Sequence, residues 1–186
     1  MSVPQALAGT PLRTDFLSAS DAARLVARIG ITQVLRLVSE ALEADFGRWQ
    51  DFDKSARTAA HSASGVIELM PVADARDYAF KYVNGHPHNP RLGLPTVMAF
   101  GALADVATGM PRFVSELTLT TALRTAATSA MAARHLARAG NRSMALIGNG
   151  SQSEFQALAF MELLGVRELR LFDIDPAASQ KLLRNL

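Results

Sequence analysis

The 186-residue chain contains no cysteine, and aromatic residues make up only 6% of it. The absence of cysteine excludes disulfides, thiolate metal ligands and a cysteine nucleophile. No apolar run reaches the roughly 18 residues of a membrane-spanning helix, and the longest candidate, Leu92 to Ala104, contains Pro95 and Gly101. The segment Met1 to Pro4 has no basic stretch ahead of an apolar one, so no secretory signal is expected. These absences predict a cytoplasmic protein without a membrane partner.

Charge of either sign is scarce and nearly balanced, with 19 Lys and Arg against 17 Asp and Glu and a net charge of +2. A nucleic-acid-binding protein normally carries a concentrated basic patch, so no nucleic-acid partner is expected. Hydrophobic residues make up 49% of the chain. That share is enough to bury a core, and it excludes a disordered chain.

Helical and extended patterns alternate along the first 140 residues. Ser20 and Asp21 predict a helix start, and Gly30 predicts the end of that helix. The next helix carries an apolar stripe that we interpret as ordinary core, formed by Leu35, Val38, Leu42, Phe46 and Trp49. An antiparallel sheet is predicted between 51 and 119, with strands at 65–70 (ended by Pro71), 78–83, 96–104 and 112–119.

A helix of small residues is predicted at 121–138, with Gly140 as its C-cap. Its small side chains favour either tight helix packing or the close approach of a cofactor. The last 45 residues then follow the order strand, glycine turn, helix, strand, helix start. The predicted elements are strands at 144–147 and 169–173, a helix at 153–164 closed by Gly165, and a helix capped by Asp175 and Pro176.

The glycine turn has the form Gly148-x-Gly150-x-x-Ser153, and Asp173 ends the following strand. This order opens a dinucleotide-binding fold. Gly148 permits the tight turn, Gly150 lets a pyrophosphate approach the backbone, and the helix N-terminus offers free N–H groups. Asp173 would bind a ribose and repel a 2′-phosphate, so NAD is favoured over NADP. The alternative is that Asp173 only caps the next helix.

Only two strands of this dinucleotide-binding unit are predicted, whereas a mononucleotide-binding half has three parallel strands. The helix at 153–164 is apolar on nearly all sides, so it needs cover on both of them. We therefore expect the chain to be the front part of a longer protein.

Five segments resemble the ornithine cyclodeaminase/mu-crystallin family, and bacterial ornithine cyclodeaminases most closely. They are Arg48 to Arg57, Gly65 to Pro71, Phe80 to Pro87, Ala122 to Ser129 and Leu146 to Gly150. The resemblance implies an α/β fold, with a substrate-binding and dimerisation domain at 1–140 and the start of a Rossmann domain at 141–186. It also implies a homodimeric lyase that uses bound NAD to convert L-ornithine to L-proline and ammonia.

The resemblance also implies the site residues. Arg57, Lys81 and Arg124 match positions that hold the substrate carboxylate, and Glu68 and Lys81 match catalytic positions. The cofactor positions are Thr96, Arg124, Gly148, Gly150, Ser151, Gln152 and Asp173. No metal is expected, and the histidines at 86 and 88 are interpreted as turn residues. The family's catalytic aspartate would lie beyond residue 186, so these residues alone are expected to lack activity and to be poorly soluble.

Other functions remain open at this level. One is a non-catalytic NAD(P)H-binding protein of the mu-crystallin type, and another is a sibling amino-acid dehydrogenase. A third is a truncated product without turnover. Without the resemblance, Arg57 and Lys81 would be read as solvated surface charges. Lys81, however, alternates with Phe80 and Tyr82 along a strand and therefore points to the opposite face.

Overall fold

The computed structural model describes residues 13–186, and the first twelve residues, including the Met1 to Pro4 segment, lie outside that range. The described residues form a mixed α/β fold with two separate sheets, which confirms the predicted fold class. The strands are β1 (Asp15–Leu17), β2 (Thr58–Ser62), β3 (Gly65–Ala73), β4 (Asp77–Gly85), β5 (Ala99–Asp105), β6 (Pro111–Glu116), β7 (Ser143–Ile147) and β8 (Glu168–Phe172). The helices are α1 (Ala19–Ile29), α2 (Ile31–Gly47), α3 (Thr118–Leu136), α4 (Ser151–Leu164) and α5 (Pro176–Asn185).

The larger sheet has the strand order β1-β6-β5-β4-β3-β2, and the smaller one pairs β7 with β8 in parallel. Strands β2 to β6 pair with antiparallel neighbours, as the sequence predicted, whereas β1 joins β6 in parallel. Met70 lies opposite Lys81, and Lys81 lies opposite Gly101. Because side chains alternate along a strand, Glu68, Met70 and Lys81 share one face of the sheet.

The other face of the larger sheet exposes large apolar side chains, and we call it the open face. Its exposed members are Phe16, Ile67, Leu69, Tyr78 and Phe100. Phe100 stacks on Tyr82 with 4.9 Å between ring centroids and meets Phe80 edge-on at 6.4 Å. Contiguous apolar surface of this kind marks an interaction site on a protein.

The helices enclose the main core, and small residues on α3 allow them to approach closely. Its buried residues are Leu35, Leu123, Ala126, Ala127, Ala130 and Ala159. A second cluster of Leu146, Ala157 and Leu182 lies between α4, α5 and the smaller sheet. Helix α4 contributes Ala159 to the first cluster and Ala157 to the second. This agrees with the expectation that its apolar surface is covered on two sides.

The helices begin and end at residues whose side chains or backbone conformation cap them. Ser18 caps α1 and forms a reciprocal capping box with Asp21, so the helix starts slightly before the predicted Ser20–Asp21 position. Gly165 ends α4 in the left-handed conformation, and the Asp175 side chain accepts from the Ala177 N–H at the start of α5. Both of these predicted caps are confirmed.

Pro71 does not stop its strand, contrary to the sequence prediction. Strand β3 continues to Ala73, and Pro71 lies opposite Phe80 of β4. The N–H of Ala73, two residues on, points away from β4 and donates to the Asp53 carbonyl at 3.1 Å. Pro71 N points to the same side, where β2 has not yet begun, so no ladder bond is lost.

Other limits also differ from the sequence prediction. Strand β2 was not predicted, because its residues Thr58–Ser62 lack an apolar alternation and are all exposed. Strand β5 begins at Ala99, and β6 ends at Glu116. Helix α3 runs from Thr118 to Leu136, so its C-cap is Ala137 and not Gly140. Trp49 lies beyond α2 in a short 3-10 turn, where it stacks on Phe46 and is not core.

Candidate functional site

Four charged side chains predicted from separate parts of the sequence lie together beside β3 and β4. Arg57, just before β2, donates from Nη1 to Glu68 Oε1 at 3.0 Å. The Glu68 side chain is 22% exposed. Lys81 is diagonal to Glu68 on the same face, because Glu68 pairs with Val83 and Met70 pairs with Lys81. We call Arg57, Glu68, Lys81 and Arg124 the charged cluster.

The pKa of Lys81 shows how closely the cluster is assembled. Burial lowers the pKa of Lys81 below its ordinary value of 10.5, and the charges of Arg124 and Arg57 lower it further. Glu68 is the neighbour that raises the pKa of Lys81. Three cations and one carboxylate leave an excess of positive charge, which an anion such as a carboxylate would neutralise.

Small neighbours leave space beside Lys81. Gly101 lies directly opposite it, and a Cβ at Gly101 would meet the Phe80 carbonyl oxygen at 2.3 Å. The sheet therefore admits no side chain there. Met70, opposite Lys81 on its other side, is a neighbour that sequence reasoning missed. Its signal was the two-residue step from Glu68, which places both residues on one face.

Arg124 lies in the second turn of α3, which begins at Thr118, three residues before the start that the sequence predicted. The helix begins earlier than predicted because the Glu116 carboxylate accepts a hydrogen bond from the Thr118 N–H and so allows Thr118 to start it. Arg124 is therefore set back from the helix N-terminus, and the dipole contributes less to anion binding at this residue than expected. Arg124 is exposed, and it is the member of the charged cluster that comes from a helix.

The glycine turn follows β7 and leads into α4, as predicted. Gly148 has φ +86°, a conformation that favours glycine, and its N–H donates to the Phe172 carbonyl of β8 at 2.8 Å. Gly150 is the N-cap of α4, and no side chain caps this end. Ser153, at the third motif position, donates from Oγ to the Gly150 carbonyl at 2.6 Å, and this hydrogen bond stabilises the glycine turn.

Asp173 lies just after β8 and is held against the glycine turn. Its Oδ2 accepts from the Asn149 N–H at 2.5 Å, and its Oδ1 accepts from the Asp175 N–H at 2.9 Å. The bond from Asn149, then that from Asp175, lowers the pKa of Asp173. Each carboxylate oxygen keeps a second acceptor position, so a ribose hydroxyl remains a possible donor to it.

Ser151 is the first residue of α4, and Gln152 and Thr96 are the last two of the predicted cofactor positions. The Gln152 amide donates from Nε2 to the Ala122 carbonyl of α3 at 3.0 Å. The side chain thus ties the helix after the glycine turn to the helix that carries Arg124. Thr96 is half-buried in the segment between β4 and β5, and its carbonyl accepts from the His86 N–H at 2.9 Å. A direct cofactor contact stays a prediction for all three residues.

The glycine turn fits a dinucleotide. A Cβ added at Gly148 or Gly150 would meet no atom within 4 Å, so there is open space beside the backbone. The uncapped start of α4 supplies N–H donors for a pyrophosphate. Asp173 supplies the acceptor that a ribose requires.

Among residues 13–186, no group of three His, Asp or Glu side chains is arranged to hold a metal ion. No helix in the same range has the length and apolar composition to cross a membrane.

Fold and site together define an α/β protein that joins an antiparallel sheet bearing a cationic cluster to a Rossmann-type strand, glycine turn and helix. The family model of the ornithine cyclodeaminase/mu-crystallin family matches residues 20–186. The chain belongs to this family, as the sequence resemblance indicated.

Individual relatives agree with this membership. The ornithine cyclodeaminase of Brucella abortus biovar 1 (strain 9-941) is 58% identical over 171 residues, which cover 92% of this chain and 48% of that protein. A solved lysine cyclodeaminase superposes with a TM-score of 0.86 at 32% identity, covering 92% of this chain and 52% of that one. An archaeal alanine dehydrogenase dimer with bound NAD gives 0.78 at 30% identity and the same coverage. The chain spans about half the length of the curated relatives it matches.

Proposed function

We propose that the whole protein is an NAD-dependent ornithine cyclodeaminase, a lyase that converts L-ornithine to L-proline and ammonia. The observation that carries the proposal is the assembly of Arg57, Glu68 and Arg124 around the half-buried Lys81. A cationic cluster of this kind fits an amino-acid carboxylate. The relatedness to Brucella ornithine cyclodeaminase supports ornithine as the amino acid.

The charged cluster would bind and orient the substrate. Lys81 and the two arginines would hold the carboxylate, and the planar guanidinium groups allow paired hydrogen bonds to it. Glu68 would accept a hydrogen bond or a proton from the substrate amine or a water, since a carboxylate in reach of the reacting group can act as a general base. Arg57 orients Glu68 through its 3.0 Å hydrogen bond.

We also propose NAD as the cofactor, which when bound would accept a hydride from the substrate α-carbon and later return it. Gly148, Gly150, Ser151 and Gln152 would cradle the pyrophosphate at the start of α4. Asp173 would accept the ribose hydroxyls and disfavour a 2′-phosphate. Thr96 and Arg124 would contact the cofactor from the other side. The archaeal alanine dehydrogenase with bound NAD supports this assignment.

The organisation and assembly are proposals as well. Residues 1–140 would form the substrate-binding and dimerisation domain, and 141–186 would begin the Rossmann domain. The two separate sheets support this division. We propose a homodimer that covers the open face, and both the exposed aromatic surface and the dimeric archaeal relative support it. A cytoplasmic location stays a prediction from the sequence.

The test is an assay of the full-length gene product with L-ornithine and a catalytic amount of NAD. We expect proline and ammonia to be released in equal amounts without accumulation of NADH, because the hydride is returned. Accumulation of NADH with an amino acid would instead indicate a dehydrogenase. Tight binding of NADPH without turnover would favour the mu-crystallin-like function.

The lowered pKa of Lys81 predicts a pH effect. Its folded-state pKa lies below 10.5, so the ammonium that holds the carboxylate is lost at a lower pH than for an ordinary lysine. We expect kcat/KM of the full-length enzyme to fall on the alkaline side, and Lys81→Arg to move this fall to higher pH, because arginine stays protonated. Titration of the substrate amines affects the wild type and Lys81→Arg equally. Superimposable alkaline limbs would therefore mean that Lys81 does not cause the fall in kcat/KM, and they would refute its assignment as the group that holds the carboxylate.

A further inference from the structure

A hydrogen-bond network at the end of β4 fixes the loop that carries Thr96. Asn84 is buried, with 6% of its surface exposed. Its backbone N–H donates to the Met98 carbonyl at 3.1 Å, and its Oδ1 accepts from the Met98 N–H at 2.6 Å. Asn84 therefore binds both backbone polar groups of the residue two positions after Thr96.

The orientation of the Asn84 amide also sets the hydrogen-bonding role of His86 Nδ1. A backbone N–H only donates, so the Asn84 atom that faces Met98 must be the oxygen. The amide nitrogen then faces His86 Nδ1 at 3.0 Å. Because that nitrogen only donates, His86 Nδ1 must accept. In this arrangement the hydrogen of the imidazole lies on Nε2.

His86 links this arrangement directly to Thr96. Its backbone N–H donates to the Thr96 carbonyl at 2.9 Å, and the Asn89 amide donates to the Pro95 carbonyl at the same distance. Gly65 of β3 packs against the imidazole, since a Cβ there would lie 2.9 Å from His86 Cγ. A change in the charge of the ring therefore acts first on the Asn84 amide that faces Nδ1.

We propose that Asn84 and His86 are positioning residues for Thr96, and that protonation of His86 weakens dinucleotide binding. The inference rests on the proposed function, which places Thr96 against NAD. A protonated imidazole carries hydrogen on Nδ1, which then faces the Asn84 amide nitrogen, and neither group accepts. Rotation of the amide would not help, because the Met98 N–H would lose its acceptor.

Other titratable groups border the same region. His61 of β2 and His88 of the loop line a surface groove beside Gly85. Strand β3 faces this groove with Gly65 and Val66, which carry no charge. The loop also contains Arg91, whose charge does not change with pH in this range. The histidines at 61 and 88 are therefore the positions to control for.

The test measures NAD affinity of the full-length protein by titration calorimetry. We expect the wild-type dissociation constant to be about tenfold higher at about pH 5.5 than at about pH 7.5. His86→Asn keeps an acceptor oxygen but does not titrate, so its affinity should change by less than about twofold between these pH values. Asn84→Asp places a carboxylate oxygen against Nδ1, which can donate to it in the protonated ring and in the neutral tautomer with hydrogen on Nδ1. Its affinity should therefore also change by less than about twofold between these pH values.

Controls and outcomes separate this inference from the proposed function. His61→Gln and His88→Gln should keep the wild-type pH dependence. If His86→Asn keeps it too, or if Asn84→Asp follows the wild type, the positioning role is overturned. If NAD does not bind at all, the cofactor assignment and this inference both fail. NAD binding without ornithine turnover would remove only the proposed reaction.

Discussion

Lys81→Met in the full-length enzyme should lower kcat/KM for ornithine by about 100- to 1,000-fold, equivalent to roughly 3–4 kcal/mol. The change removes the cation at the centre of the charged cluster and leaves its apolar stem. The same substitution should not lower the melting temperature. The lowered pKa of Lys81 means that the fold disfavours the charged ammonium, so its removal relieves a cost of the folded state.

Two matched variants make the Lys81 result interpretable. Lys181→Met makes the same change at an exposed position on α5 and should leave both kcat/KM and the melting temperature unchanged. Lys81→Arg keeps the charge and should keep more activity than the methionine variant. Full activity of Lys81→Met, or a loss explained by a lower melting temperature, would contradict the substrate-binding role.

Phe100→Glu should convert the proposed homodimer of the full-length protein to a monomer. Phe100 is 47% exposed at the middle of the open face and stacks on Tyr82. A carboxylate there would be desolvated in the proposed interface, at a cost of several kcal/mol, so the dimer dissociation constant should rise by at least about 100-fold. Sedimentation equilibrium measures this directly.

Leu136→Glu is the matched control for the open face. Leu136 is 85% exposed at the end of α3 and belongs to a helix, not to the larger sheet. The control introduces the same charge at an apolar position and should leave the dimer intact. If Phe100→Glu stays dimeric with wild-type affinity, the open face is not the interface.

Much of the fold could be predicted because its signals are local. Glycine turns, capping residues and the alternation of apolar residues identify β3, β4, β7, α4 and α5 from neighbouring residues alone. Strand β2 could not be predicted, because its exposed residues show no apolar alternation and are extended only through pairing with β3. The continuation of β3 through Pro71 could not be predicted either, because it depends on which side of the strand lacks a hydrogen-bonding neighbour.

The candidate site divides in the same way. The glycine turn is a local motif, and sequence order placed it correctly between β7 and α4. The charged cluster joins residues from a loop, two strands and a helix, so the family resemblance was needed to bring Arg57 and Arg124 together. The two-residue step from Glu68 puts Met70 on the same face, but no local pattern predicted its place opposite Lys81 or the network between Asn84, His86 and Thr96. Both depend on strand register and on the path of the loop.

The parallel pairing of β1 with β6 has a consequence for the order of folding. Thr14 Oγ1 donates to the Pro111 carbonyl across 97 residues of sequence, and Asp15 lies opposite Phe113. Closing so long a loop costs chain entropy before any contact offsets it, whereas the meander from β2 to β6 closes through short connections. Strand β1 therefore joins an edge that already exists, and it completes the sheet instead of nucleating it.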